Sequence, residues 1–242
     1  MFSADVLALA AYETVKICVP TILDGWLGRV DARVCDQRLD RWSRGLLRVA
    51  KVNVLTVGRE HIQPGESYVV MSNHQSHFDI PVIFQALGIP IRMVAKRELF
   101  RIPVMGPAMR YSGFIEVDRE RRARAARSLV AARERLAQDR TSVWIAPEGT
   151  RSTTGELGKF KRGGFNLAID ARLRILPVIV DGSLRIHRAG DRQVHKHQTV
   201  GVKIRPPIDA AAYGRARAVE LVEAVRATIL DALPPARAIG TT

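Results

Sequence analysis

The chain has 242 residues, of which 47% are hydrophobic, and carries 38 Lys and Arg against 24 Asp and Glu, a formal net charge of +14. A core of useful size is affordable at that length, and so strong a positive field favours nucleic acid, an anionic membrane surface or phosphorylated substrates as partners. Aromatics make up only 6% and no finger, RNP-like or basic-zipper signature is present, which argues against nucleic acid.

In chain order, residues 4–19 read as a helix that is apolar on most sides. Pro20 is expected to interrupt it, and Asp24-Gly25 to bend the chain. Asp5, Glu13 and Lys16 break up the apolar run, so neither a signal peptide nor a membrane-spanning helix is expected. The next stretch repeats Leu27, Val30, Val34, Leu39, Trp42, Leu46 and Val49 at three- to five-residue intervals, with Arg29, Arg33, Arg38, Arg41, Arg44 and Arg48 between them. A basic amphipathic helix with Trp26 and Trp42 suits an anchor lying in a membrane interface. It suits equally a helix packed on its own domain with a solvated arginine face. Cys18 and Cys35 form neither a close ligand pair nor a framework of bridges, which fits a cytoplasmic setting.

After residue 50 short apolar runs alternate with helical segments. SYVVMS, IRMVAK, GFIEV, TSVWIA, RILPVIV and TVGVKI read as strands. Helices are expected at 80–87, within PVMGPAMRYS, at 119–139, at 164–171 and at 215–233, the last ending at Pro234-Pro235. Such alternation implies an α/β fold, a sheet covered by helices on both faces and preceded by an N-terminal amphipathic helical pair. The division expected is residues 1–50 as membrane-interfacial helices and 51–242 as the α/β domain.

Two short stretches carry chemistry. SNHQSHFDI at 72–80 places His74 and Asp79 five residues apart, a spacing that on one regular helix would separate them by roughly 140°. They meet only if His74 lies in the loop after a strand and Asp79 at the start of the following helix. There Asp79 would orient the imidazole, leaving Nε2 free as a general base, or would simply cap the helix. A metal reading of His74, His77 and Asp79 lacks a further ligand at an expected spacing, and no nucleophile elbow surrounds Ser76. Backbone N–H groups of the 74–79 turn are one source of oxyanion donors. The second stretch, APEGTRS at 146–152, follows a strand, where open α/β sheets bind ligands. Gly149 permits a tight turn, Glu148 can accept from hydroxyls and Arg151 can grip phosphate, or the loop is a solvated turn. Lys159, Lys161 and Arg162 follow in a Gly-rich run.

NHQSHFD, KRELFRIPVMGPAMRYSGFIEVDR, APEGTRS and ILPVIV occur in that order over residues 72–180, and together they resemble the four motif blocks of the 1-acyl-sn-glycerol-3-phosphate acyltransferase family. The resemblance implies a glycerolipid acyltransferase-like mixed sheet and an enzyme of phospholipid biosynthesis. It implies that His74 is the catalytic base and Asp79 its partner. Lys96, Gly113, Phe114, Arg119, Glu148, Gly149, Thr150 and Arg151 would form the substrate-binding site. The implied reaction moves a fatty acyl group from acyl-CoA or acyl-acyl carrier protein to the sn-2 hydroxyl of lysophosphatidic acid. It uses the acyl thioester as co-substrate and neither metal nor cofactor. Glycerol 3-phosphate or another lysolipid is an alternative acceptor. The implied setting is an anionic membrane surface on the cytoplasmic face of the inner membrane, held peripherally or monotopically, with no nucleic acid. A long acyl chain joined to a charged head group further predicts a hydrophobic tunnel beside a basic patch. Ala146 stands where the family usually has Phe, which bears on substrate fit rather than on chemistry.

Overall fold

The structure is a computed structural model that describes residues 4–118, 128, 140–188, 190–191 and 193–234. The helix expected at 119–139 lies outside the described residues apart from Ser128, and so does Arg119.

Seven strands form one sheet: β1 (Asn53–Val57), β2 (Tyr68–Ser72), β3 (Ile91–Lys96), β4 (Ile115–Val117), β5 (Ser142–Ile145), β6 (Arg174–Asp181) and β7 (Thr199–Ile204). Their order is β1-β7-β6-β2-β5-β3-β4, and every pairing is parallel except β6 with β7. β2 and β5 are buried along their whole length. Alternate residues serve opposite faces, as the two-residue period of a strand requires. Val70 and Trp144 enter one core with Val82, Ile83 and Phe84, whereas Val69, Met71 and Val143 enter the other with Phe165, Leu221 and Val225. The first core lies under α1 (Ala4–Trp26), α2 (Ala32–Val49) and α3 (Asp79–Leu87). The second lies under α5 (Gly163–Ala171) and α6 (Ala218–Ala232), while α4 (Met105–Tyr111) lies between β3 and β4 in the chain.

Three sequence expectations are corrected. β1 was not anticipated: NVLTV has only five residues, and as an edge strand it leaves Asn53, Leu55 and Val57 exposed. α1 is unbroken through Pro20 and ends at Trp26, because packing on α2 and α4 outweighs the one backbone hydrogen bond that proline cannot make. Gly25 and Gly45 mark how close that packing is: a Cβ on either would come within 2.5 Å of Tyr111 on α4 or of Glu13 on α1. Consequently α1 is, by length and composition, long and apolar enough to cross a membrane, contrary to expectation. Of its charged residues, Glu13 pairs with Lys16 at 2.7 Å on the same helix and Asp5 with Lys196 of the α/β domain.

α2 starts at Ala32, where Asp31 accepts the N–H of Val34 at 2.7 Å, a regular N-cap. Cys35, Leu39, Ser43 and Leu47, at four-residue intervals, face inward, and Arg33, Arg41, Arg44 and Arg48 are exposed. Arg38 instead turns toward α1, where it pairs with Asp24 and lies 3.4 Å from Thr21 Oγ1. The outer side of α1 is apolar: Leu9, Tyr12, Val15, Val19, Leu23 and Trp26 recur every three or four residues and are 40–73% exposed.

Candidate active site

β2, β5 and β6 are parallel neighbours, so the loops after Ser72, Ile145 and Asp181 emerge from one edge of the sheet. Asn73 leaves β2 first, and its side-chain amide exchanges two 2.8 Å hydrogen bonds with the backbone N–H and C=O of Val180 on β6. His74 follows in the loop, and Asp79 is the first residue of α3.

Nδ1 of His74 lies 2.7 Å from Oδ2 of Asp79. The same oxygen accepts the backbone N–H of Gln75 at 2.7 Å and of Ser76 at 2.9 Å, so the carboxylate ties the turn into a loop around itself. It does not cap α3: the N-cap position is Phe78, without a side-chain cap bond, and the Asp79 bonds point back into the loop. Asp79 is fully buried, whereas the His74 side chain is 16% exposed. No hydrogen bond occupies Nε2 of His74 among the described residues. The indole of Trp144 meets the imidazole at 90° with centroids 5.5 Å apart, and its Nε1–H is held by Ser72 Oγ at 2.9 Å. Such an edge-to-face contact limits rotation of the imidazole plane.

Most backbone N–H groups of the 74–79 turn, a candidate source of oxyanion donors, are already engaged within the protein. The N–H groups of His74, Gln75, Ser76 and Phe78 all have acceptors, the last being Ser76 Oγ at 3.2 Å.

Glu148 also has a role that its sequence position did not reveal. Its Oε1 accepts the N–H of His74 at 3.0 Å and its Oε2 the N–H of Gly158 at 2.8 Å. Both oxygens are thus engaged with backbone, and the residue fastens the histidine loop to the Gly-rich loop. Burial raises its carboxyl above the ordinary glutamate value, against the opposing pull of those two donors. A further bond, from Ser152 N–H to the carbonyl of His74 at 2.7 Å, joins the same two loops. Gly149 adopts a positive φ of +72°, and a Cβ there would come 2.8 Å from Nζ of Lys161, so the turn and its closeness to that lysine both favour glycine.

Arg151 follows, with Nη1 buried and without a hydrogen-bond partner. It lies near enough to His77 to help lower that residue's pKa to about 4, after desolvation as the main cause and ahead of the His187 and His74 rings. His77 nevertheless keeps solvent contact. Thr150 is exposed.

Lys96, the exposed last residue of β3, and the Gly113-Phe114 turn before β4 stand on the far side of β5 from His74. Gly113 has φ +77°, and Phe114 packs 6.5 Å from Phe84, so this pair shapes the turn that brings β4 beside β3. A cavity of about 410 Å³ lies elsewhere, between α2, α3 and β1, lined by Arg44, Arg48, Arg59 and Gln85 among others. It shares no residue with the motif loops and does not correspond to the expected acyl tunnel.

Sequence reasoning missed Trp144, Asn73 and the contact of Ser76 with His187. Trp144 sits in TSVWIA, whose apolar composition signals only a buried strand.

The profile of the family described as Acyltransferase matches residues 53–181. A mouse protein named 1-acyl-sn-glycerol-3-phosphate acyltransferase alpha is 30% identical over 179 residues, 74% of this chain and 63% of its own length. A Salmonella typhimurium protein named 1-acyl-sn-glycerol-3-phosphate acyltransferase is 32% identical over 162 residues, 66% of this chain and 64% of its own. The match to these relatives thus spans somewhat less than two thirds of their length. Among solved structures, the 1-acyl-sn-glycerophosphate (LPA) acyltransferase PlsC from Thermotoga maritima aligns over 100% of both chains, with a TM-score of 0.79 and 25% identity. With a paired histidine and aspartate at the carboxyl edge of a mixed sheet, and a family match running from β1 to the end of β6, the chain belongs to the acyltransferase family.

Proposed function

We propose that the protein transfers a fatty acyl group from an acyl thioester, acyl-CoA or acyl-acyl carrier protein, to the sn-2 hydroxyl of 1-acylglycerol 3-phosphate, forming phosphatidic acid. The observation that carries this reading is the 2.7 Å contact between His74 Nδ1 and buried Asp79, which leaves the opposite nitrogen of a partly exposed imidazole to the substrate. The names of the relatives support the acceptor.

An alcohol is a poor nucleophile, so His74 Nε2 removes the hydroxyl proton as the oxygen attacks the thioester carbonyl. Asp79 holds the Nδ1–H tautomer and stabilises the imidazolium that forms. When the tetrahedral intermediate collapses, the C–S bond breaks and the imidazolium returns its proton to the departing thiolate. The products are one ester and one free thiol. Trp144 and Glu148 hold the imidazole and its backbone in place during both transfers. Arg151, whose Nη1 has no acceptor of its own, serves the acceptor phosphate, as Lys96, Thr150 and Arg119 do in the same reading.

The apolar outer side of α1 and the exposed arginines of α2 suit a monotopic position on an anionic bilayer, where a water-insoluble acceptor is found. In this reading residues 1–50 lie in the interface at the cytoplasmic face. Thiol release by purified protein on liposomes tests the function. Release is expected only with both acyl thioester and lysophosphatidate; release without an acceptor, or none with either thioester, would refute it.

A further inference from the structure

The segment after β6 belongs to none of the motif blocks, yet it returns to the active site. A single 3-10 turn, Ser183–Arg185, carries the chain back over the histidine loop. Ser76 Oγ donates to the carbonyl of His187 at 2.7 Å, and the His187 ring lies 5.9 Å from that of His77, tilted by 41°.

The hydrogen bonds of His187 fix its chemistry. Nε2 is 3.1 Å from the carbonyl oxygen of Asp191, an atom that only accepts, so Nε2 carries the hydrogen. Nδ1 is the other nitrogen, and it is buried with no hydrogen-bond partner. Nη1 of Arg151, a residue near enough to His77 to lower its pKa, is also buried and unpartnered. Buried polar atoms of this kind are nearly always hydrogen-bonded in folded proteins. Of the carboxylate oxygens in the histidine and Gly-rich loops, Asp79 Oδ2 already holds three donors and both Glu148 oxygens hold backbone N–H groups, while Asp79 Oδ1 is itself buried without a partner. The Arg151 guanidinium and the His187 imidazole both act electrostatically on His77, whose ring lies 5.9 Å from that of His187, and such a group suits an oxyanion once Nδ1 of His187 is protonated. The described His, Cys, Asp and Glu side chains form no group of three that could hold a metal ion instead.

We propose that His187 completes, with Arg151 and His77, the pocket for the phosphate monoester of the acceptor, and is a specificity-determining residue of this chain. The inference rests on the lysophosphatidate reading given above. A phosphate monoester, whose second ionisation falls near pH ~6, is largely dianionic at neutral pH, and its charge favours uptake of a proton from solvent at Nδ1. Nδ1–H then donates to a phosphate oxygen while Nε2–H stays on the Asp191 carbonyl, and Arg151 adds its planar donors. Because Ser76 joins the His187 backbone to the His74 turn, the phosphate pocket and the base that activates the hydroxyl keep a fixed separation.

Steady-state kinetics of wild type, His187→Phe, His187→Gln and Arg151→Ala test this, with lysophosphatidate, uncharged monoacylglycerol and acyl-CoA varied in turn. His187→Phe keeps the ring and the carbonyl that Ser76 uses. It should raise KM for lysophosphatidate by ~10-fold or more, the expected loss of a hydrogen bond to a charged group. KM for acyl-CoA should stay within about twofold, as for a residue that does not touch the donor, and the preference for lysophosphatidate over monoacylglycerol should shrink by the same ~10-fold factor. In wild-type protein, inorganic phosphate should move the His187 Nδ1 resonance toward the protonated position, a readout independent of turnover and of any variant's folding. An unchanged Nδ1 resonance, or a native-melting His187→Phe with unchanged KM for lysophosphatidate, overturns the proposal. So does a rise confined to KM for acyl-CoA, which would place the donor's phosphates here. If Arg151→Ala raises KM for lysophosphatidate and His187→Phe does not, the role of His187 fails while the acceptor reading stands. If wild type acylates monoacylglycerol as well as lysophosphatidate, the acceptor reading itself fails. Should His187→Phe melt early, His187→Gln, which keeps a polar side chain, decides with the same measurements.

Discussion

Glu148 accepts the backbone N–H of His74 at 3.0 Å, so the position of the imidazole depends on a carboxylate from a different loop. Burial raises that carboxyl above its ordinary value of 4.5, meaning the folded state holds its proton more tightly than the unfolded chain does. Its contribution to stability is therefore fullest below about 4.5 and is lost as pH rises through the higher folded value. Glu148→Gln, a mimic of the neutral acid, should gain in melting temperature relative to wild type across that window and converge with it below. One of its two amide atoms cannot accept an N–H, so kcat should nevertheless fall about tenfold, the loss of roughly one hydrogen bond. Thermal melts from pH 4 to 8, paired with thiol-release assays, check both halves.

Asp79→Asn separates charge from shape. The amide oxygen can still receive the N–H groups of Gln75 and Ser76, so the fold should survive with a melting temperature within a few degrees of wild type. The imidazolium loses its counter-charge, and turnover should drop by roughly 10³- to 10⁴-fold, as amide substitution does in a serine–histidine–aspartate system. Wild-type turnover in this variant would reduce Asp79 to a loop tie.

His77 should titrate well below the ordinary histidine value. Its folded pKa is lowered from 6.5 to about 4, chiefly by desolvation and then by Arg151. A depressed value means that its share of stability is present above 6.5 and lost as pH falls through about 4. The C2–H resonance of His77, followed by NMR, should show its midpoint near 4, and replacement of Arg151 by Ala should move that midpoint upward. A midpoint near 6.5 in wild type would contradict the crowded, positive surroundings described.

The apolar side of α1 makes a prediction about membranes. Tyr12 and Leu23 are 61% and 50% exposed on the same side of the helix and touch no core. Burying a large apolar side chain is worth ~1.5–3 kcal/mol. Tyr12→Asp with Leu23→Asp should therefore weaken co-sedimentation with anionic liposomes by tenfold or more and leave the circular dichroism spectrum unchanged. Retained binding would move the membrane contact to the arginines of α2.

What could be read in the sequence follows from sequence distance. His74 and Asp79 are five residues apart, and a turn between strand and helix is the one geometry that joins them, so their contact was legible. Ser72 with Trp144, and Asn73 with Val180, are 72 and 107 residues apart and meet only once the strand order is known. Glu148 was legible as a polar group near the site but not as a link, because its partners are backbone N–H groups, which sequence does not distinguish. Pro20 misled for a related reason: its local preference is real, and the surfaces of α2 and α4 that override it lie elsewhere in the chain. β1 was missed because an edge strand of five residues lacks the continuous burial that marks β2 and β5.

Asn73 has a consequence for how this architecture accommodates change. Its amide offers Val180 one donor and one acceptor, the same pair a strand residue would offer through its peptide groups. The sheet ladder is thereby continued by a side chain after the main chain has turned away toward His74. Remodelling of the loop, by substitution or insertion, is insulated from the pairing of β2 with β6, because the last rung is already detached from the path of the backbone. A scaffold closed in this way lets a catalytic loop diverge while the strands beneath it stay zipped.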